Sequence, residues 1–151
     1  MTSELQLLNA LRQSYKNDKK PKIQLYNKIA KALFRYDTDQ KVVQYASKAA
    51  LNKAEELSVN LKELNWHNQR KNGKDPDRKI FHYEHCNPIS VLTKDVLTSD
   101  KDIAEILKEN IVCWILKSEN KELDAHHYRS KREGDWKKCY QACGIEPVEI
   151  N

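Results

Sequence analysis

Between residues 5 and 64 the apolar positions recur at three- and four-residue steps, the spacing that gathers side chains on one stripe of a helix. Leu5, Leu8, Leu11 and Tyr15 mark a first helix, which Lys19-Lys20-Pro21 interrupts because proline disfavours helix in the residue before it. Ile23, Tyr26, Ile29, Ala30 and Leu33 mark a second. Asp37-Thr38-Asp39 offers an N-cap for a third, which would carry Val42, Tyr45, Ala46, Ala49 and Ala50 onward to Leu57 and extend through Leu61 and Leu64. The pattern changes at Trp66. His67 to Arg78 is nearly free of apolar residues and holds Gly73 and Pro76, so it reads as a turn-rich linker. Lys79 to His85 is rich in strand formers and stops before Pro88. Ser90 to Leu107 returns to helical spacing, in two pieces around Thr98-Ser99-Asp100. Ile111 to Leu116 is a short apolar run of the buried-strand kind. Ser118 can cap a helix over Glu119 to Asp124, and Asp135 to Cys143 forms a last helix with Gly144 as its C-cap. The expected fold is α+β: a helical arm over residues 1–66, then a core over residues 67–151 in which strand, long connection, strand and short helix follow one another, closed by a C-terminal helix. Arm and core are short enough to form one compact domain.

Composition narrows the function. Of the 151 residues 39% are apolar and 32% charged, so the core is small and the surface strongly solvated. Three glycines exclude a Gly-rich phosphate loop. No run approaches the roughly 18 apolar residues of a membrane span, and Met1-Thr2-Ser3-Glu4 lacks the order of a signal peptide, so a cytoplasmic protein without membrane contact is expected. The net charge is +5, and Arg70 to Lys79 and Arg129-Ser130-Lys131-Arg132 place basic residues on both sides of the central strand. That distribution suits a phosphate backbone, with Arg129, Lys131 and Arg132 as the expected contacts. The lysines between Lys16 and Lys22 read as solvated surface.

Four cysteines, Cys86, Cys113, Cys139 and Cys143, lack the paired CxxC spacing of a zinc ribbon. Cys139 and Cys143 with His126 or His127 would be the one zinc arrangement; the expected state is packed thiols without structural zinc. Trp114, Trp136 and Tyr140 read as core ahead of a base-stacking platform, and His126-His127 as a surface pair.

The chemistry concentrates in Tyr83-Glu84-His85-Cys86-Asn87-Pro88. Phosphodiester hydrolysis needs a base to activate water and a cation to stabilise charge on phosphate and leaving oxygen. A neutral imidazole such as His85 suits the first task, with an acid limb expected within about one or two units of the free value near 6.5. Hard Mg²⁺ or Mn²⁺ takes oxygen ligands, which Glu84 with Glu119 or Asn120 would supply; Asn120 with Asp124, four residues on, is the shifted alternative, and His82 a spare ligand. A strand sends Glu84 and His85 to opposite faces, so both serve one site only where the strand ends, as Pro88 indicates.

Glu84-His85-x-x-Pro88, Asn110-Ile111 before an apolar strand, and Glu119 nine positions beyond Asn110 resemble the HNH, or His-Me finger, endonucleases over about a third of the chain. Glu-His-x-x-Pro with Trp136, Tyr140, Gly144 and Ile145 is similar to a small phage-type branch, which would act in the host cytoplasm. The resemblance implies a ββα-metal core, metal-dependent cleavage or nicking of DNA, with RNA a second substrate class, and a role for Asn110 in orienting the His85 loop. The alternatives are a nucleic-acid-binding module without catalysis, and a helical interaction protein that dimerises through its arm.

Overall fold

The structure is a computed structural model describing residues 3–71 and 75–151. Gly73 and Lys74 of the basic linker lie outside the described residues. The chain is α+β. Helices α1 (Ser3–Asn17) and α2 (Ile23–Asp39) pair with each other and with α4 (Ile89–Thr98), and α1 also meets α5 (Ile103–Lys108). Leu8, Ala30 and Phe34 close this layer against Leu92, Val96, Ile103 and Ile106.

Four strands form one mixed sheet in the order β2-β3-β1-β4: β1 is Tyr45–Ser47, β2 Phe81–His85, β3 Val112–Leu116 and β4 Pro147–Glu149. β2 runs antiparallel to β3 with Glu84 opposite Cys113 and His85 opposite Val112. β1 is parallel to β3 and antiparallel to β4. Helix α6 (Lys117–Ala125) follows β3 directly and packs on both β2 and β3. Helix α7 (Trp136–Ala142) buries Trp136 and Tyr140 in a cluster with Cys86, Cys113, Ile115, Leu123 and Ile145. Gly144 follows it with φ +73°, the left-handed cap expected there.

The third helix differs from the expectation. Asp37-Thr38-Asp39 lies in the last turn of α2, not at a new N-cap. The Asp37 carboxylate is taken by Lys41 Nζ at 2.7 Å and Asn110 Nδ2 at 2.9 Å, so it serves tertiary partners. Residues 45–47 are strand although their apolar spacing is helical, because their backbone fills the ladder between β3 and β4. Helix α3 (Lys48–Glu56) starts one residue later, where Ser47 Oγ accepts from Ala50 N at 3.0 Å. It does not run on to Leu64: Ser58 takes φ +55°, Leu61 reaches the core from a turn, and Leu64 from the irregular stretch after it. β1 thus comes from the segment read as an arm, and arm and core share one sheet.

Buried Asp75 sets the start of β2. Its carboxylate accepts from the backbone N–H groups of Lys79, Ile80 and Phe81 at 3.1, 3.0 and 2.9 Å, and from Gln69 Nε2 at 2.6 Å. Four donors on one carboxylate hold the strand at a defined height and deliver its far end, Glu84-His85, to the sheet edge. No helix among the described residues is long and apolar enough to cross a membrane.

Candidate functional site

The end of β2, the first turns of α4, the face of α6 and the loop after it enclose a cleft of about 750 Å³. His82, Glu84 and His85 line it from β2, Asn120 and Asp124 from α6, and Arg129 from the loop. Glu84 and His85 alternate along the strand yet both reach the cleft, because the ladder ends at His85 and the chain turns away through Pro88.

Glu84 is 9% exposed and both of its oxygens are engaged. Oε1 accepts from Arg132 Nη2 at 2.8 Å, and Oε2 lies 2.8 Å from His82 Nε2. The other ring nitrogen of His82 lies 3.1 Å from Lys117 Nζ. A lysine ammonium has only donors, so it donates to His82 Nδ1, which places the ring proton on Nε2 and directs it at Glu84. Lys117, His82, Glu84 and Arg132 therefore form one polarised chain across the β2–α6 contact.

Arg132 was expected on phosphate; it is instead locked inside. Its side chain is 4% exposed, Nε donates to Cys86 O at 3.0 Å, Nη2 to His85 O at 3.2 Å, and Nη1 to Tyr128 O. The guanidinium straps the loop after α6 over the end of β2, and a fork already spent on five acceptors, the Lys131 carbonyl included, has no donor set to offer a phosphate. Arg129 lines the cleft, and Lys131 is exposed beside it.

His85 is held neutral. Burial is the main cause, and the Arg35 charge adds to it; Glu84 and Asn110 work in the opposite direction, and the outcome is a pKa lowered to about 4. This moves the expected acid limb well below the free imidazole value. Neither His85 Nδ1 nor Asn110 Oδ1 has a hydrogen bond of ordinary geometry, yet the Asn110 side chain is close enough to favour the protonated ring. Asn110 is fully buried, and its Nδ2 donates to Phe34 O and Asp37 Oδ2, both at 2.9 Å. With its donors used on α2, only Oδ1 is left for His85.

Glu119, the expected ligand in register, does not line the cleft. Its Oε1 accepts from Ser47 Oγ at 2.5 Å and from Leu116 N at 2.9 Å, so it caps its own helix and pins β1 to α6. One position on, Asn120 and Asp124 share the face that looks into the cleft. His126 turns Nδ1 onto Glu122 O and stacks on Tyr128. Cys139 and Cys143 point their thiols at the carbonyls of Glu133 and Glu122, as packed thiols do. Among the described residues no three His, Cys, Asp or Glu side chains converge as a preformed metal cluster.

Sequence reasoning missed Arg35. It projects from α2 into the cleft, at a helical position that nothing in the local pattern distinguishes from a solvated arginine. Tyr83 belongs to the central motif, while its neighbour Trp66 stands in the sequence only as the point where the pattern changes; the two rings lie 6.1 Å apart beside the cleft. No protein-family model matches the chain, nor does any curated protein or solved structure.

Proposed function

We propose that the chain is a metal-dependent endonuclease of the His-Me finger kind that hydrolyses or nicks DNA, with His85 as general base. The observation that carries this reading is a neutral histidine on the wall of a cleft that also presents Glu84, two oxygen-bearing side chains of the following helix, and two arginines. The order β2, β3, α6, with the helix packed on both strands, agrees with it.

The donors suit a hard divalent cation. Glu84, Asp124 and the Asn120 amide offer oxygens, and Glu84 keeps free lone pairs after one bond to Arg132 and one to His82. Mg²⁺ or Mn²⁺ bound there would stabilise negative charge on the phosphate and on the leaving oxygen. The protein's own part is to position and deprotonate. Arg35 from α2 and Arg129 from the loop after α6 hold the phosphate in the cleft. Neutral His85 takes a proton from the attacking water, with the Asn110 side chain beside it favouring the ring once protonated. The new P–O bond forms as the bond to the leaving oxygen breaks, and that oxygen acquires a proton from solvent. Arg132 and His82 fix the Glu84 carboxylate in place.

One observation favours a second reading, a nucleic-acid-binding module without catalysis: Glu84 is already neutralised by Arg132 in the interior. Incubating supercoiled plasmid with and without Mg²⁺ or Mn²⁺ separates the two. Conversion to nicked or linear DNA by the parent but not by His85→Ala is the expected result. Equal binding with no cut in either protein makes the chain a binder.

A further inference from the structure

A second cavity of about 370 Å³ opens beside the cleft and shares the Arg35, Tyr83 and His85 walls with it. Its remaining walls include Trp66, His67 and Asp39. Its volume lies at the small end of ligand pockets, suited to a single ring system. Trp66 is 41% exposed, whereas Trp114 and Trp136 are 0% and 8%. An exposed indole on an ordinary surface changes rotamer freely; here it is clamped. The Arg78 guanidinium sits 3.6 Å from the Trp66 ring centroid, and Arg78 Nη2 donates to Trp66 O at 2.8 Å. Arg78 itself leaves the Trp66–Arg78 pair polarised, with a cation on one ring. Tyr83 is braced in turn, edge-on to Trp114 at 5.3 Å and to His85 at 5.8 Å. The polar part of the cavity carries a carboxylate and an imidazole that face each other at 3.3 Å, Asp39 Oδ1 and His67 Nε2, which leaves the second carboxylate oxygen and the other ring nitrogen to meet a heterocycle edge.

We infer that this cavity is a nucleobase pocket, which receives the unpaired base of the nucleotide next to the phosphate held in the cleft, stacked on Trp66 and Tyr83. The inference rests on the nuclease reading for the identity of the polymer and adds a preference: single-stranded or locally unpaired nucleic acid over perfect duplex. A paired base is stacked between neighbours and cannot enter a pocket of this size; extruding it costs a few kcal/mol, and that cost vanishes when the nucleotide is already unpaired. Stacking on a held aromatic ring needs no particular base, so the pocket selects strandedness ahead of sequence.

The test is binding without turnover, in EDTA and at one fixed salt concentration, read by quenching of tryptophan fluorescence and by competition. The probes are a short single-stranded oligodeoxynucleotide, its blunt duplex, and a single strand of the same length built on an abasic backbone. The single strand is expected to bind the parent at least about tenfold tighter than the duplex and to quench the exposed indole. Trp66→Ala should weaken single-strand binding by about fivefold to a hundredfold while shifting duplex binding less than about twofold. Trp66→Phe, which keeps a ring, should retain most of the affinity. The abasic strand should bind parent and Trp66→Ala alike. Unchanged single-strand affinity in Trp66→Ala, an equal loss on single strand and duplex, or an abasic strand that binds the parent as well as the natural one overturns the pocket. Failure of the two readings is separable: selective stacking without plasmid cleavage keeps the pocket and rejects the nuclease. Plasmid cleavage with an indifferent Trp66→Ala rejects the pocket alone, and no binding of any probe rejects both.

Discussion

Arg132 Nη2 meets Glu84 Oε1 at 2.8 Å across 48 residues of sequence, with 4% and 12% of the two side chains exposed. Breaking such a pair by removing one partner leaves the other charged and buried. Arg132→Ala is expected to lower unfolding stability by about 3–5 kcal/mol in a urea titration. Arg132→Lys should recover little, since an ammonium cannot fork onto Glu84 and the Cys86 and His85 carbonyls together. Glu84→Gln should shrink the cost of Arg132→Ala. Equal costs in both backgrounds would show that the arginine acts only through the carbonyls.

Phosphate contact falls to other residues. Replacing Arg35 or Arg129 by Ala should weaken DNA binding and flatten the slope of log K against log salt by about 0.9 each. Both line the cleft, and neither is needed to close a buried pair. A salt slope unchanged in Arg129→Ala would assign that residue to solvated surface.

The pH dependence follows from His85. Activity should rise as the ring loses its proton, with the midpoint near its folded pKa of about 4, and stay level up to neutrality. Stability has the same sign: between about pH 4 and 6.5 the unfolded chain binds a proton that the folded one does not, so folding weakens as pH falls through that window. At 1.36 kcal/mol per unit the full loss is about 3 kcal/mol, complete below the folded pKa. His85→Gln should abolish that slope in thermal melts at stepped pH. The catalytic cost of His85→Ala should be about a hundredfold to ten-thousandfold with the fold retained.

Asn110 acts through His85. Asn110→Ala removes two hydrogen bonds to α2 and should cost about 1–3 kcal/mol of stability. Asn110→Asp carries the sharper readout. A carboxylate in place of the amide oxygen favours the protonated ring, so the acid limb should move to higher pH. A limb that stays in place while kcat falls would mean that Asn110 has a purely structural role.

Glu119 and its neighbour separate cap from ligand. Glu119→Ala should destabilise by about 1 kcal/mol, the usual loss for a helix cap, and leave the metal dependence alone. Asn120→Ala and Asp124→Ala should raise the Mg²⁺ or Mn²⁺ concentration needed for half-maximal cleavage and leave stability nearly untouched. A metal requirement that shifts only in Glu119→Ala reverses the assignment.

Local pattern carried much of the fold. Strands at Phe81–His85 and Val112–Leu116, the paired helices α4 and α5, and the glycine stop after α7 follow from residues near in sequence. What was not legible depends on distant partners. Tyr45–Ser47 has helical spacing and becomes strand because two other strands need a backbone between them. The cleft shows the same divide. Glu84 and His85 are visible as a motif, and the Asn120–Asp124 face as a helical step. Arg35 enters only because α2 packs on α4, and Arg132 leaves the phosphate set only because a buried carboxylate claims it. A residue's charge is written in the sequence; its exposure is not.

The central position of β1 has a consequence for how the chain is made. Its neighbours on either side come from residues 112–116 and 147–149, so a strand synthesised early waits for partners synthesised much later. Pairings this remote close slowly, because a long loop must be ordered before any bond rewards it. A chain emerging from the ribosome can form the α1–α2 pair while β1 still lacks a neighbour. During that interval Ala46 and Val43 stand uncovered beside an unpaired backbone, the condition that recruits chaperones or invites edge-to-edge association. Glu119, pinned to Ser47 in the finished protein, has no partner on β1 until that strand docks, so α6 gains its tie to the middle of the sheet only after synthesis has passed β3 and β1 has found its place.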